Sequence, residues 1–244
     1  MNNQASINIE NCIVDGIDTI KRAASLKQIF VKQQSGFSTR IPILQNVSFS
    51  CKAGEKIAFI GNNGSGKSSL LKVIAGIYPP LSGKIKVNGK VTAIIEMGLG
   101  LEPELTGRQN IKILMLYNNM LDAYNKELEQ SIIDFSELQE KIDLPVKTYS
   151  SGMLSRLSFS VSLFQQSEIL LLDEVFAAGD HNFVAKSLNF LKNKINSVPI
   201  TILVSHQENI IKENCNRCVL MKNGRIIADG KTDEILAIYE TGNY

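Results

Sequence analysis

The sequence predicts an α/β fold in which a mostly parallel core sheet is interrupted by a helical insert. Short apolar runs at 57–60, 169–172 and 201–204 have the length and continuity of strands buried on both faces. A glycine-rich loop follows the first run, and two carboxylates follow the second. The stretch from about 106 to 164 is helical in character and poor in strand signals.

The first elements in chain order are strands and then a helix. Residues 47–51 alternate between apolar and polar as in a half-buried strand, and 52–54 have the composition of a turn. After the strand at 57–60, apolar residues over 70–74 recur at helical spacing. Residues 84–95 predict a hairpin with an Asn-Gly turn at Asn88 and Gly89.

The second half combines the helical insert with a return to strands. After the strands at 169–172 and 201–204, Asn223 and Gly224 predict the turn of a last hairpin between 219–221 and 225–227. Thr232 is a good N-cap residue, so we expect it to cap a closing helix.

Composition excludes several classes of protein. A chain of 244 residues with 44% hydrophobic and 20% charged residues is an ordinary globular mixture, not a largely disordered one. The 26 Lys+Arg and 24 Asp+Glu leave a net charge of +2, which predicts no nucleic-acid partner. No apolar run approaches the roughly 18 residues of a membrane-spanning helix, and the first residues lack signal-peptide features. We therefore expect a chain that neither crosses a bilayer nor is secreted.

The four cysteines suit a reducing cytoplasm, since they are too few for a disulfide framework. Cys215 and Cys218 form one C-x-x-C pair, which supplies only half of a tetrahedral zinc site, and no second pair follows. We expect both to be buried or half-buried residues without a special role.

The strongest chemical signal is a full match to the phosphate-loop pattern G-x-x-x-x-G-K-[ST] between a predicted strand and a predicted helix. Its glycines let successive N–H groups face a phosphate, and the following helix adds its positive N-terminal end. The lysine can reach the β- and γ-phosphates, and the serine hydroxyl can hold Mg²⁺. The matching residues are Gly61, Asn62, Asn63, Gly64, Ser65, Gly66, Lys67 and Ser68.

Two further strands end in side chains that suit phosphate chemistry. Asp173 and Glu174 follow a buried strand at the edge where α/β sheets bind ligands. Asp173 is predicted to coordinate Mg²⁺, and Glu174 to orient or deprotonate the attacking water. His206 ends the strand at 201–204, where its imidazole can contact the γ-phosphate, although a lone histidine is more often structural.

Ser150, Ser151 and Gly152 form a turn that opens an amphipathic helix. Exposed N–H groups at such a start can bind an anion. The alternative is a simple helix cap, for which Ser150 is a good residue. The position of this turn just before the acidic strand favours the anion site.

Taken in order, these motifs resemble those of an ATP-binding-cassette (ABC) ATPase over nearly the whole chain, from about residue 41 onward. The resemblance implies a P-loop NTPase fold of ABC type and one ATP-binding domain over 1–244. That domain has a mostly parallel core sheet, an antiparallel β subdomain, and a helical signature subdomain at about 104–165. ATP and Mg²⁺ are the implied ligands. By this resemblance, residues 61–69, which include Ser69, would be the Walker A loop. Asp180 would lie in the D-loop, and His206 would be the switch histidine.

The chain departs from the common ABC pattern in three places. The signature has Ser151 in place of a glycine and a methionine in place of the usual glutamine. The Q-loop region, 96–103, contains no glutamine, so Glu102 or Glu96 is expected to serve there as a metal ligand. The aromatic that stacks on adenine is expected to be Phe37, with Phe30 the next choice.

In the stretches around these departures, the sequence is similar to the polysaccharide-export ATPases, the group that serves O-antigen, capsule and teichoic acid exporters. Residues 98–111, 149–153 and 174–180 carry this similarity. The group has an extra N-terminal helix, which fits the basic amphipathic stretch 20–32 within an N-terminal strand-and-helix region at 1–40. This helix is predicted to lie near the membrane surface or to pack on its own domain. The sequence closes soon after the last predicted helix, so no C-terminal carbohydrate-binding domain is expected.

The resemblance also implies partners and a location. Two copies would sandwich two ATP molecules in a head-to-tail homodimer, and a separate integral-membrane permease would move a lipid-linked polysaccharide. The subunit would then sit peripherally on the cytoplasmic face of the inner membrane. Two alternatives stay open: an ABC ATPase for another substrate, or a soluble ABC switch protein without a membrane partner.

Overall fold

A computed structural model describes residues 4–17, 40–95, 100–118, 120–174, 181–242 and 244. The strands within these ranges are β1 (Ser6–Ile17), β2 (Arg40–Lys52), β3 (Lys56–Ile60), β4 (Ser82–Asn88), β5 (Val91–Ile94), β6 (Ile169–Asp173), β7 (Ile200–Val204), β8 (Arg217–Lys222) and β9 (Arg225–Lys231). The α-helices are α1 (Lys67–Ile74), α2 (Gly107–Tyr117), α3 (Lys126–Ser136), α4 (Ser151–Phe164), α5 (His181–Ser197), α6 (Glu208–Asn214) and α7 (Thr232–Thr241).

The strands form one antiparallel and one mostly parallel sheet. The antiparallel sheet has the order β2-β1-β4, and the larger sheet has the order β5-β6-β7-β3-β8-β9. Neighbours in the larger sheet are parallel except for β8 and β9. This arrangement confirms the predicted α/β class. Because β6, β7 and β3 are consecutive neighbours, the loops at their carboxyl ends meet at one edge.

The apolar run of β3 is continuous because both faces of the sheet are covered. Ile57 and Phe59 belong to the cluster that the larger sheet shares with β1, β2 and α1. Ala58 and Ile60 belong to the opposite cluster, which includes Phe183 of α5 and side chains of α4 and α7. The alternation of β3 therefore divides one strand between two cores, as expected for a central parallel strand.

Helices α2, α3 and α4 share a third cluster, which is distinct from the two cores of the sheet. Thr106 and Gln109 form a capping box at the start of α2, and the Asn125 side chain accepts from the Leu128 N–H at the start of α3. Arg108 of α2 joins Glu129 of α3 at 2.6 Å. Helix caps and cross-helix contacts thus define this part of the chain as a helical layer of its own.

The predicted hairpin over 84–95 is wrong. Strand β4 pairs with β1, whereas β5 pairs with β6, so the two strands lie in different sheets. The loop between them is held by the entrance of β6: the Lys90 N–H donates to a Glu168 carboxylate oxygen at 2.9 Å, and the Glu168 N–H donates to the Lys90 carbonyl at 2.8 Å. These long-range bonds override the local preference of an Asn-Gly pair for a hairpin turn.

The last predicted hairpin is confirmed, because β8 and β9 pair antiparallel around Asn223 and Gly224. Both turn residues have the positive φ that such a turn requires, 50° and 74°. The N-cap prediction at Thr232 is wrong by one residue. Lys231 is the N-cap, and the Thr232 hydroxyl donates to the Cys215 carbonyl at 2.8 Å instead.

The four cysteines are free and buried, as expected for the C-x-x-C pair. Burial raises the pKa of Cys51, Cys215 and Cys218 to about 12. Across the ranges that the structure describes, no three His, Cys, Asp or Glu side chains are grouped to hold a metal ion. The described part of the chain also contains no helix long and apolar enough to span a bilayer.

Candidate functional site

The phosphate loop connects the carboxyl end of β3 to α1. Gly61 has a φ of 140°, and a Cβ there would lie 2.2 Å from the Met221 carbonyl of β8. Gly66 is the N-cap of α1 with a φ of 104°. Only glycine satisfies both the close approach and these backbone angles. The loop therefore curls against β8 and points the start of α1 at the space above the sheet edge, where an anion is favoured.

Lys67 is the most deeply placed charged group of the loop, with 6% of its surface exposed. Its Nζ donates to the Gly61 carbonyl at 2.8 Å, the Asn62 carbonyl at 3.0 Å and the Ser65 hydroxyl at 3.4 Å. Burial lowers the Lys67 pKa, while the nearby carboxylates of Glu174 and Asp173 oppose that shift. The ammonium is thus held by neutral acceptors at the place where a phosphate would supply a stronger, charged one.

Ser68 and Asp173 lie next to each other, although 105 residues separate them in sequence. The Ser68 hydroxyl donates to the Asp173 carboxylate, and this bond lowers the Asp173 pKa. Burial is the larger influence and raises that pKa. A hydroxyl and a carboxylate in contact are the oxygen ligands that Mg²⁺ prefers.

Glu174 and His206 meet at the ends of β6 and β7. The His206 Nε2 lies 3.0 Å from Glu174 Oε1. The Glu174 N–H donates to the Val204 carbonyl at 3.0 Å, and the Glu174 backbone has a left-handed φ of 51°. Non-glycine residues with such angles are uncommon and concentrate at functional sites. The strained turn directs the Glu174 carboxylate over the sheet edge and toward the phosphate loop.

One cleft of about 490 Å³ brings most of these groups together. Sequence reasoning missed the part of its lining that β2 and the β8–β9 turn contribute. The Gly224 N–H donates to the Ser65 carbonyl at 2.9 Å, and the Gly224 carbonyl accepts from the Gln45 N–H at 2.8 Å. The described lining residues are Ile41, Pro42, Ile43, Gln45, Asn63, Gly64, Gly66, Lys67, Ser68, Ser69, Glu174, Asn223 and Gly224.

The signature turn lies elsewhere, at the start of α4. Ser150 is the N-cap of that helix, and its hydroxyl accepts from the Met153 N–H at 3.3 Å. Ser150 and Gly152 line a second cleft of about 780 Å³, together with Arg156. Among the described lining residues, this cleft shares none with the cleft at the phosphate loop. Within one copy, the structure therefore does not bring Ser150 to the phosphate loop.

Several predicted site residues fall outside the described ranges: Phe37, Phe30, Glu96 and Asp180. The basic stretch 20–32 also lies outside them. Glu102 is described, and its backbone is fixed by the buried Asn110 side chain, which accepts from the Glu102 N–H at 2.6 Å. The predicted role of Glu102 as a metal ligand remains a prediction.

The fold and this site define a P-loop protein with the parts needed to bind a nucleoside triphosphate. A family model described as ABC transporter matches residues 44–177. The chain belongs to the ABC transporter family. Its solved structural neighbours agree in fold: an ATP-binding subunit of an ABC transporter has a TM-score of 0.71 at 20% identity, covering 98% of this chain and 95% of that one. A dimeric post-hydrolysis ATP-binding cassette bound to ADP and Pi has a TM-score of 0.69 at 20% identity, covering 93% and 98%.

The curated relatives include ATP-binding proteins named for O-antigen export and for teichoic acids export. The O-antigen export system ATP-binding protein RfbB of Myxococcus xanthus is 36% identical over 93% of this chain and 52% of its own length. The corresponding RfbE of Yersinia enterocolitica is 42% identical over 76% and 78%. The teichoic acids export ATP-binding protein TagH of Enterococcus faecalis is 41% identical over 89% and 48%. The chain thus spans about half the length of the first and third of these relatives.

Proposed function

We propose that this protein binds and hydrolyses ATP and thereby powers the export of a lipid-linked polysaccharide through a separate membrane permease. The observation that carries the catalytic part is the Glu174–His206 pair, 3.0 Å apart, beside the cleft that holds Lys67. The names of the relatives, which refer to O-antigen and teichoic acid export, support the choice of substrate class.

ATP would bind with its phosphates on the loop 61–69. Backbone N–H groups of the loop and the positive end of α1 neutralise phosphate charge. Lys67 would move its Nζ from neutral carbonyls to the β- and γ-phosphates, which are stronger acceptors. Phe37, which lies outside the described ranges, is the residue expected to stack on adenine.

Mg²⁺ fits the Ser68–Asp173 pair, because the two oxygen ligands already touch and the carboxylate is partly buried beside Lys67. When bound there, Mg²⁺ neutralises phosphate charge that develops as the γ-phosphoryl group leaves. Asp173 would keep its place through the Ser68 hydroxyl. Glu102 or Glu96 would add a further ligand.

Glu174 is suited to act as the general base. His206 occupies its Oε1, so Oε2 is the oxygen left to take a proton from the attacking water. The water oxygen would bond to the γ-phosphorus as the bond to the ADP oxygen breaks. His206 would hold the carboxylate and help to place the water against the γ-phosphate.

A second copy of the chain would complete each site. Ser150 to Gly152 present a helix N-terminus at a cleft separate from the phosphate loop, so a single copy leaves that anion site without its phosphate. In a head-to-tail homodimer, the Ser150 turn of one copy would face the γ-phosphate held by the other, with Asp180 at the same interface. Hydrolysis would remove this bridge and let the dimer open.

The permease would use this opening to alternate between inward and outward states. The subunit would then be peripheral, on the cytoplasmic face of the membrane. Cell fractionation separates this proposal from the alternative of a soluble switch protein. Retention of the subunit on membranes only when a permease is co-expressed supports transport, whereas full recovery in the soluble fraction under that condition contradicts it.

The substrate class is tested by complementation. A strain lacking this gene receives the wild type, Glu174→Gln, or the control Glu127→Gln, an exposed carboxylate at the start of α3. We expect the wild type and the control to restore surface polysaccharide, and Glu174→Gln to leave lipid-linked polysaccharide inside the cell. Normal surface polysaccharide in the deletion strain would refute the proposed substrate.

A further inference from the structure

Two tyrosines near the end of the described chain reach the second residue of the phosphate loop. The hydroxyl of Tyr239, on the last turn of α7, lies 3.5 Å from Asn62 Oδ1, and the hydroxyl of Tyr244 lies 3.4 Å from the same oxygen. Asn62 itself is exposed. No local sequence pattern indicates this contact, because 177 residues separate Asn62 from Tyr239.

The tyrosines are firmly placed. Both are half-buried and pack against the core cluster that includes Ile235 and Leu236 of α7. Their rings lie 5.7 Å apart, tilted by 33°. Lys222 of β8 lies 5.4 Å from the centre of the Tyr244 ring, and its Nζ donates to the Tyr244 carbonyl. Each tyrosine thus has an anchored apolar body with a polar tip on the loop, the usual arrangement of a half-buried tyrosine.

Asn62 connects this contact to the groups that meet phosphate. Its carbonyl accepts from Lys67 Nζ at 3.0 Å and from the Ser65 N–H at 3.1 Å. Restraining the Asn62 side chain therefore restrains the turn that the Ser65 N–H closes, and this turn orients the loop also after Lys67 Nζ has moved to a phosphate. Because Asn62 is otherwise exposed, the two hydroxyls oppose local movement at this end of the loop.

We propose that Tyr239 and Tyr244 are positioning residues that preorganise the phosphate loop for ATP through Asn62. A loop already held in its binding conformation loses less conformational entropy when nucleotide arrives. The contact also links α7 to the nucleotide site in both directions. ATP should strengthen the docking of Tyr239 and Tyr244 on Asn62, and a partner that displaces these two tyrosines should weaken ATP binding by the same factor.

The test uses the purified full chain and steady-state ATP hydrolysis. The variant Tyr239→Phe/Tyr244→Phe keeps the packed rings and removes only the two hydroxyls. Since two long hydrogen bonds are lost, we expect the KM for ATP to rise roughly three- to tenfold while kcat stays within twofold. Tyr117→Phe, at a tyrosine that is 59% exposed on α2, is the matched control and should leave both constants unchanged.

Asn62→Ala removes the same two bonds from the side of the loop. We expect it to raise KM similarly and to add nothing in the Tyr239→Phe/Tyr244→Phe background. Hydrogen exchange gives a second readout: exchange at 61–66 should speed up in the double variant, and ATP should slow exchange at 239–242 in the wild type.

The proposal would be overturned by a KM within twofold of wild type in the double variant, or by a lower KM, which would mean that the tyrosines obstruct the loop. Increases that multiply when Asn62→Ala is added would do the same. The proposal rests on ATP binding at this loop, but not on the exported substrate. If the wild type does not hydrolyse ATP, the proposed function is contradicted. If the wild type is active and the double variant has the same KM, only the positioning role is contradicted.

Discussion

Lys67→Ala removes the one side chain of the phosphate loop that is both charged and buried. Because only 6% of the Lys67 surface is exposed, bulk water does not readily take the place of the missing ammonium group in the variant. A hydrogen bond to a charged group contributes about 1.5–3 kcal/mol, so the Kd for ATP should rise about 10- to 150-fold. The carbonyls of Gly61 and Asn62 also lose their donor, which loosens the loop further.

Titration of the purified variant with a fluorescent ATP analogue measures this effect directly, and thermal unfolding without nucleotide shows whether the fold is intact. Lys126→Ala, at an exposed lysine that begins α3, is the matched control and should bind ATP like the wild type. A folded Lys67→Ala protein with a Kd within twofold of wild type would refute the role given to this lysine.

Three other predictions concern stability and reactivity. Burial raises the pKa of Asp173, so the charged carboxylate destabilises the nucleotide-free fold at pH values above that pKa. Asp173→Asn should therefore raise the melting temperature of the nucleotide-free protein at pH 7–8. This gain should shrink toward pH 4 as the wild type protonates, and a constant gain would contradict the reasoning. At Gly224, where φ is 74°, an alanine Cβ would lie 2.3 Å from the Ile43 carbonyl oxygen of β2. We therefore expect Gly224→Ala to lower the melting temperature and to weaken ATP binding in the fluorescence titration. Unchanged values would show that this turn does not support the phosphate loop. The thiols of Cys51, Cys215 and Cys218, whose pKa values are about 12, should resist a thiol reagent at pH 8 until denaturant is added; rapid labelling of the native protein would contradict their burial.

Local patterns predicted those parts of the fold whose causes are local. The apolar run of β3 and the Asn223-Gly224 pair predicted the correct elements. A strand covered on both faces is apolar throughout, and a turn with positive φ favours Asn and Gly, so both are visible in the local sequence. The same Asn-Gly signal failed at Asn88 and Gly89. There, pairing of β5 with β6 decided the outcome, and such pairing joins residues nearly 80 apart.

The site divides in the same way. The contact of Glu174 with His206 follows from buried parallel strands ending at a common edge, which the sequence does indicate. The brace of Gly224 on Ser65 and the tyrosine contacts on Asn62 depend on distant parts of the chain and leave no local signal. The expected roles of the residues outside the described ranges stay predictions, as do the domain bounds.

Two copies of this chain are proposed to complete each other's ATP sites. Sedimentation velocity of the Glu174→Gln variant, with and without Mg²⁺ and ATP, measures whether ATP brings the two copies together. We expect monomers without nucleotide and dimers with ATP. Adding Ser150→Arg should return the protein to monomers, because the bulky side chain would block the turn that meets the phosphate held by the other copy. An ATP-saturated protein that remains monomeric at every concentration would contradict this proposal.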